Sequence, residues 1–252
     1  MASPVEQDTP SSLRRALSLL DAFTAEHREL SIRELSSRSG VSRSTTHRLA
    51  QELVQWGALE RTAGGLCLGV KLFELGTLAP SHTTLREAAA PFLHTLHEVT
   101  KLTANLAVRE ADHIVYLEKI NARQLRVPHT RLGGRGTLHA TALGKAIMAF
   151  TPDFDPGGLA TSMVALTPHT LTSPAALARD LAEVRARRVA YDVEESRLGL
   201  FCVAAPVVDR QGRAVAAISV TGATALSQAQ QFAPTVAAMA MAIARAVAPP
   251  KR

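Results

Sequence analysis

The feature that most constrains the fold is a short stretch near the start of the chain, where two helix patterns flank a glycine. Ser31 and Glu34 have the spacing of a capping box, in which each side chain satisfies a backbone N–H at a helix start. Gly40 ends that helix because glycine adopts positive φ without strain. Ser42 begins the second helix, and Gly57 ends it. Two helices joined by so short a turn predict a helix-turn-helix, whose second helix is of the kind that enters a DNA major groove.

The second predicted helix has one side rich in hydrogen-bond donors. At helical periodicity, Thr45, Leu49, Leu53 and Trp56 share the side expected to pack on the first helix, and Glu52 is expected toward that buried side. The opposite side lacks acids in its first two turns, and its side chains suit base edges and phosphates. The alternative is an ordinary amphipathic helix with a solvated face, but such a face normally mixes glutamate with lysine. The predicted DNA-contacting residues of the two helices are Arg33, Ser42, Arg43, Ser44, Thr46, His47, Arg48 and Gln51.

Two short strand patterns follow the second helix. Residues 59–61 and 66–68 alternate, and the glycines between them suit a tight turn. A hairpin after a recognition helix is a wing, which usually contacts phosphate, so Thr62 and Gly64 join the predicted DNA contacts. We predict a winged helix-turn-helix domain over residues 11–69, preceded by a disordered polar segment, residues 1–10. A third helix is expected from the apolar spacing of Leu13, Leu17, Leu20 and Phe23.

Composition limits the classes of function. No apolar run approaches transmembrane length, and the polar N-terminal segment does not resemble a signal peptide, so we expect a cytoplasmic protein without a membrane partner. Cys67 and Cys202 have neither metal-ligand spacing nor a disulfide framework, which suits a reducing compartment, and we expect no metal or cofactor.

The net charge of +6 suits an anionic partner, but residues 1–80 carry nine lysines and arginines against nine acids. Because DNA affinity comes mainly from neutralised phosphates, one such domain should bind modestly. A homodimer doubles the contacts and is therefore expected.

A linker is predicted over residues 70–100. Residues 70–78 have helical apolar spacing, Pro80 interrupts it, and a second helical pattern runs over residues 85–99. An apolar helix between two domains commonly supplies a dimer interface, so we predict linker and dimerisation helices here. The alternative for the second pattern is a core helix of the following domain.

The remainder, residues 101–252, predicts a second domain. Residues 102–109 and 113–118 alternate around one turn, and residues 201–208 and 214–220 flank another, which predicts two hairpins. Helices are predicted over residues 139–150, 174–187 and 227–248. Mostly antiparallel strands with flanking helices indicate an α+β domain of the sensor type.

The second half of the chain contains the string His-Ala-Thr-Ala-Leu-Gly-Lys-Ala at residues 139–146. This string is the strongest of several motifs that together resemble the IclR family of bacterial transcription regulators. The resemblance covers nearly the whole chain, and it implies an N-terminal winged helix-turn-helix, a linker helix and a C-terminal GAF-like α/β effector domain, assembled as a dimer or a dimer of dimers. The other matching segments are residues 13–17, 39–42, 192–195 and 199–207.

The second domain offers a candidate ligand site at the start of its first predicted helix. A glycine-rich run, residues 132–136, precedes that helix, and free N–H groups at a helix N-terminus attract a carboxylate or phosphate. A nucleotide-binding P-loop is excluded because His139 and Ala146 occupy positions that need glycine and serine or threonine. Ser219 and Thr221, two apart on a strand, share one face. The effector site that the family resemblance implies comprises the backbone N–H groups of Ala142 and Leu143, the polar residues Asp192, Cys202, Ser219 and Thr221, and the apolar walls Leu125, Pro128 and Leu200.

These observations predict a sequence-specific regulator that binds double-stranded operator DNA and whose affinity for it responds to a small organic acid. One alternative is a constitutive DNA-binding regulator with a purely structural C-terminal domain. Another is a cysteine-dependent enzyme built on His139, Lys145, Asp192 and Cys202. No nucleophile elbow or dinucleotide fingerprint accompanies those four residues, so no catalytic residue is predicted.

Overall fold

A computed structural model describes residues 11–122, 130–223 and 226–248. The chain divides into two compact units, Met1–Pro80 and Ser81–Arg252. Within the described residues no helix is long and apolar enough to cross a membrane.

The first unit has the predicted winged helix-turn-helix architecture. Its core is formed by buried apolar side chains from all three of its first helices and from its small sheet, among them Leu19, Leu35, Leu49 and Leu59. The strands pair in the order β1-β3-β2, all antiparallel. The elements are α1 (Ser12–Asp21), β1 (Glu29–Leu30), α2 (Ile32–Ser39), α3 (Arg43–Trp56), β2 (Leu59–Arg61), β3 (Leu66–Leu68) and α4 (Val70–Thr77).

The local signals for the two central helices are confirmed. Ser31 and Glu34 form both hydrogen bonds of the capping box, and Gly40 ends α2 with a φ of 72°. Gly57 likewise ends α3 in the left-handed region, with a φ of 92°. These features depend only on neighbouring residues, so short-range patterns were sufficient to predict them.

The buried stripe of α3 differs from the prediction. Thr46, rather than Thr45, is fully buried, and Trp56 is 52% exposed. Glu52 is not turned toward the core, since its side chain is 60% exposed and forms an ion pair with Arg48 at 2.6 Å. The stripe is rotated because Ala50 also packs into the core, which shifts the centre of the buried face by one residue.

The predicted linker is divided between the two units. Helix α4 buries none of its side chains. Helix α5 (Pro80–Thr100) instead packs through Leu85, Ala89, Leu93 and Leu96 against the sheet of the second unit. The second helical pattern is therefore a core helix, the alternative interpretation of residues 85–99, and the boundary lies at residue 80 rather than 100.

The second unit is built on one antiparallel sheet, with strands in the order β6-β5-β4-β9-β8-β7. Helices α5 and α9 contribute to the core on one face, and α6 and α7 to the core on the other. The elements are β4 (Thr103–Glu110), β5 (His113–Ile120), β6 (Arg135–Thr137), α6 (Ala142–Ala149), α7 (Pro174–Arg187), β7 (Ala190–Val193), β8 (Phe201–Val208), β9 (Ala214–Gly222), α8 (Leu226–Gln231) and α9 (Ala233–Val247).

Both predicted hairpins are confirmed, but the structure differs from the prediction in three other respects. The edge strands β6 and β7 are short and were not predicted. The first helix begins at Ala142 rather than at His139 because Thr141 is its N-cap. The predicted helix over residues 227–248 is divided at Phe232, since Pro234 lies at the start of α9 and cannot continue a preceding helix.

Candidate nucleic-acid interface and ligand site

The exposed side of α3 carries most of the predicted DNA contacts. Arg43, Ser44, His47, Arg48 and Gln51 are all exposed. Arg43 has no ion-pair partner among the described residues, whereas Arg48 is held by Glu52 on the next turn. Arginine, glutamine and serine at the start of a recognition helix can pair with base edges in a major groove.

Two residues near the start of α3 have different surroundings from those predicted. The Thr46 side chain is fully buried, and its hydroxyl donates to the Val41 carbonyl at 3.2 Å. Its predicted DNA contact is wrong because this hydroxyl faces the core. Ser42 occupies the N-cap position, but its hydroxyl donates to the Thr45 hydroxyl at 2.9 Å instead of accepting from the helix backbone.

The wing is held by a carboxylate that sequence reasoning missed. The Gly64 N–H donates to Glu29 Oε1 at 2.8 Å, and the Thr62 hydroxyl donates to the same oxygen. Both predicted phosphate donors are therefore engaged within the protein. A Cβ at Gly64 would lie 2.7 Å from Glu29 Oε1, so glycine permits this close approach. Glu29 is far from the wing in sequence, and only the pairing of β1 with β3 brings it there.

In the second unit, strand register places a row of polar side chains on the α6 face of the sheet. Thr103 lies opposite Thr221, Thr221 opposite Cys202, and Cys202 opposite Asp192. Directly paired residues project from the same side of a sheet, so these four side chains are neighbours. All four side chains are buried, and the row that they form crosses four strands. Three of the predicted effector residues are thus brought together by the register.

A second row lies beside the first. Asn105 is opposite Ser219, and both are almost completely buried. The Asn105 side-chain amide donates to the Ser219 hydroxyl at 3.3 Å and to the Thr221 hydroxyl at 3.4 Å. Its Oδ1 has no hydrogen-bond partner in the described part of the chain. Sequence reasoning missed Asn105, and the only signal was an amide flanked by Ala104 and Leu106 in β4.

The first turn of α6 presents backbone donors at the same face of the sheet. Thr141 caps the helix by accepting from the Gly144 N–H at 3.1 Å. The N–H groups of Ala142 and Leu143 have no acceptor within residues 11–122, 130–223 and 226–248. Both side chains belong to the core cluster that also contains Cys202. Uncapped N–H groups at the positive end of a helix dipole favour an anion.

Asp192 is engaged by the loop that follows β7. Its carboxylate accepts from the Glu195 N–H at 2.8 Å and from the backbone and hydroxyl of Ser196. Burial raises the pKa of Asp192, and these hydrogen bonds act in the opposite direction. Of the predicted apolar walls, Leu200 is buried at the end of this loop. The other two, Leu125 and Pro128, lie outside the described residues.

Tyr116 is a further member of this face that sequence reasoning missed. It lies opposite Ala107 in β4, and its ring is buried in the same core cluster as Cys202. Burial raises the pKa of Tyr116 above its ordinary value, and nearby Cys202 and Asp192 add to the effect. The hydroxyl is therefore a neutral group that can donate a hydrogen bond at any physiological pH.

The surroundings of Cys202 do not favour nucleophilic chemistry. Burial raises the pKa of its thiol well above the usual value, whereas a reactive cysteine needs a lowered one. The sulfur accepts a hydrogen bond from the Thr221 hydroxyl at 3.1 Å. His139 instead lies against the Val164 carbonyl, with its Nε2 at 3.1 Å. Among the described residues no group of histidine, cysteine and acidic side chains could hold a metal ion.

Both units match models of known protein families. Residues 12–63 match the IclR helix-turn-helix domain, and residues 77–248 match the C-terminal domain of bacterial IclR transcriptional regulators. The chain is 34% identical over 217 residues to the HTH-type transcriptional regulator XynR of Escherichia coli, covering 84% of this chain and 86% of XynR. It is also 34% identical over 220 residues to the regulator KdgR of the same species, covering 86% and 83% of the two chains.

Solved structures share the fold. An IclR homologue from Microbacterium hydrocarbonoxydans, solved in complex with 4-hydroxybenzoate, has a TM-score of 0.86 at 24% identity over 94% of this chain and 99% of that one. The IclR protein of Thermotoga maritima has a TM-score of 0.76 at 27% identity, over 94% and 99% of the two chains. The helix-turn-helix, the two-domain fold and the match along nearly the whole chain lead to one conclusion: this protein is a DNA-binding transcription regulator that belongs to the IclR family.

Proposed function

We propose that a small carboxylic acid, bound between the start of α6 and the polar rows of the sheet, controls the affinity of this regulator for its operator. The observation that carries the proposal is the pair of uncapped N–H groups at Ala142 and Leu143, in a helix that packs on β9, the strand that carries the buried hydroxyls of Ser219 and Thr221. The N–H groups and the helix dipole suit a carboxylate, and the hydroxyls suit its remaining oxygens. The homologue from Microbacterium hydrocarbonoxydans, which carries a benzoic acid, supports this ligand class.

The hydrogen bonds of the rows restrict which groups are available to such a ligand. The Thr221 hydroxyl already donates to Cys202, whereas the Ser219 oxygen accepts from Asn105 and its proton remains available to donate. Ser219 is therefore the side chain that should contact the acid directly. Thr221 links the two rows, since its hydroxyl accepts from Asn105 and donates to Cys202. Asp192 anchors the loop after β7.

Self-association is expected to strengthen DNA binding, because it brings two recognition helices to one operator. In the first unit several large apolar side chains are exposed, and α4 buries none. Such a surface favours contact with a second copy. We infer a dimer, or a dimer of dimers, that places two α3 helices on a pseudo-palindromic operator, acting in the cytoplasm. The exposed apolar side chains on α1 and α4 and at the end of α4 are Leu13, Leu17, Val70, Phe73, Leu75 and Leu78.

Regulation then follows as a shift between two arrangements of the dimer. An acid that binds one arrangement more tightly changes operator affinity only by the ratio of its two affinities. Linkage requires operator DNA to change acid affinity by the same factor. The acid acts by binding alone, so the cluster around Cys202 serves recognition rather than catalysis.

Thermal unfolding against a panel of aliphatic and aromatic carboxylates tests the effector site. An acid at a hundred times its dissociation constant should stabilise the protein by about 2.7 kcal/mol, or roughly 5–10 °C for a unit of this size. The shift should disappear in Ser219→Ala and persist in Ser162→Ala, whose hydroxyl donates to the Leu159 carbonyl outside the rows. If no carboxylate raises the melting temperature, the effector belongs to a different chemical class or the protein is a constitutive regulator with a structural second unit. A shift that survives in Ser219→Ala would place the acid elsewhere.

Substitutions on α3 test the DNA-reading surface. With operator fragments selected by the wild-type protein from random DNA, Arg43→Ala should weaken binding by about 1–3 kcal/mol for each copy bound, because it removes a bidentate pairing with a base. Arg48→Ala should cost less, since Glu52 already holds that side chain. The matched control is Gln55→Ala, which is exposed on the same helix one turn beyond Gln51. Binding by fluorescence anisotropy checks the order, and an unchanged affinity for Arg43→Ala would contradict the choice of helix.

A further inference from the structure

A groove in the first unit separates the start of α1 from the turn that joins α2 to α3. It has a volume of about 380 Å³, and its lining contains two arginines and four hydroxyl side chains but no carboxylate. Every lining residue belongs to the helix-turn-helix unit. Helix α1 contributes Arg14, Arg15 and Ser18, the end of α2 contributes Ser39, and the start of α3 contributes Ser42 and Thr45.

No strong hydrogen-bond acceptor among the described residues binds the guanidinium N–H groups of the two arginines. The Arg15 Nε atom is buried and has no hydrogen-bond partner there. Its terminal nitrogen reaches only the Ser12 hydroxyl, at 3.4 Å. Arg14 is exposed, and none of the ion pairs among the described residues includes it. An unpaired guanidinium N–H costs free energy. Although the Nε itself is enclosed, the Arg15 side chain is only half-buried and lines the groove, so an oxygen that enters there can pair with its guanidinium group.

The hydroxyls of the groove are mostly engaged with the backbone. Ser18 donates to the Arg15 carbonyl, and Ser39 donates to the Leu35 carbonyl. Thr45 accepts from Ser42, which leaves the Thr45 proton able to donate. The ligand therefore has to be rich in acceptors and negatively charged, since the groove offers two guanidinium groups and one hydroxyl proton.

The position of the groove identifies the source of that acceptor. Ser42 and Thr45 flank Arg43 and Ser44, which begin the exposed face of α3. When the start of a recognition helix lies in a major groove, the backbone of the bordering strand runs alongside it. We propose that Arg15, assisted by Arg14, binds a phosphate of the DNA backbone in this groove. The proposal rests on α3 being the recognition helix, and it adds a contact from α1 that carries no sequence information.

Salt dependence of DNA binding separates this contact from base reading. Arg15→Gln should weaken binding to the operator and to an unrelated duplex of equal length by the same factor. The slope of log K against log salt should become shallower by about 1 for each phosphate that the variant no longer neutralises. Between about 50 and about 200 mM salt, the ratio of wild-type to variant affinity should then fall about 3.5-fold for each such phosphate. Arg15→Lys should recover part of the affinity, because it keeps the charge but not the planar fork.

Two controls make the outcome decisive. Arg179→Gln removes an exposed arginine from α7 in the second unit and should leave the slope unchanged. Arg14→Gln should give a smaller change of the same kind and keeps the experiment informative if Arg15→Gln lowers the melting temperature. An unchanged slope in both groove variants overturns the proposal, as does a weakening confined to the operator sequence. If Arg43→Ala also leaves operator binding intact, the choice of α3 is wrong as well, and the two failures are thereby distinguished.

Discussion

Gly144→Ala is expected to prevent stable folding of the second unit. A Cβ at this position would lie 1.9 Å from the Leu138 carbonyl oxygen and 2.7 Å from its carbon. Both atoms are backbone, so no rotamer change can relieve the overlap. Every residue of α6 is buried, which prevents the helix from moving outward. Overpacking of this severity belongs to the exceptional class of substitutions, at about 4 kcal/mol or more.

Denaturant unfolding of the purified variant measures this cost. The matched control is Gly158→Ala in the same unit, where an added Cβ meets nothing within 4 Å and φ is not positive. That control should stay within about 0.5 kcal/mol of wild type. A wild-type midpoint for Gly144→Ala would show that α6 does not approach Leu138 this closely, and it would remove the basis for placing the Ala142 and Leu143 N–H groups beside the sheet.

Lys145→Met should destabilise the same unit by about 3–5 kcal/mol, because it leaves the buried Glu195 carboxylate without its cation, whereas Asp180 keeps Arg187 at 3.6 Å. The Lys145 ammonium lies 2.6 Å from Glu195 and 3.1 Å from Asp180, and its side chain is only 2% exposed. Lys101→Met is the matched control. That lysine forms a pair of similar length with Glu98, at 2.8 Å, but both side chains are more than 70% exposed, so the cost should be about 0–1 kcal/mol.

The pH dependence of this destabilisation identifies its cause. Burial raises the pKa of Glu195 from 4.5 to about 7, although Lys145 acts to lower it. The folded protein therefore binds this proton more tightly than the unfolded chain, and the stability from this group is present below pH 4.5 and lost as pH rises through 7. Removing Lys145 raises that pKa further, so the difference between wild type and Lys145→Met should shrink as pH falls. Adding Glu195→Gln should restore part of the stability at high pH, and a destabilisation that does not vary with pH would indicate poorer packing alone.

The first unit could be predicted from short-range patterns to a large extent. The Ser31–Glu34 capping box and the glycines after α2 and α3 involve residues only a few positions apart, and the structure has all of them. Helical periodicity predicted the buried face of α3 less well, because Thr46 and Ala50 pack into the core and Trp56 is exposed. A rotation of one residue about a helix axis depends on which neighbours fill the core, and those neighbours come from α1 and the sheet.

The ligand site shows the same division between local and distant information. The family resemblance and the spacing of Ser219 and Thr221 predicted a shared polar face. Asn105 and Tyr116 were missed because their relation to that face depends on the register of β4 with its two neighbours. The prediction of the wing was incomplete for a similar reason, since only strand pairing brings Glu29 to Thr62.

By itself, then, the sequence determined that this chain has a winged helix-turn-helix, which helix presents donors, and an α+β domain with a helix start suited to an anion. The tertiary structure decided that α5 belongs to the second core, that Glu52 is exposed beside Arg48, and which polar groups meet across the sheet. The physical reason is the separation along the chain between the residues that decide each feature. Caps, turns and alternation are set by hydrogen bonds between near neighbours along the chain, whereas register and burial are set by packing between segments that lie far apart in it.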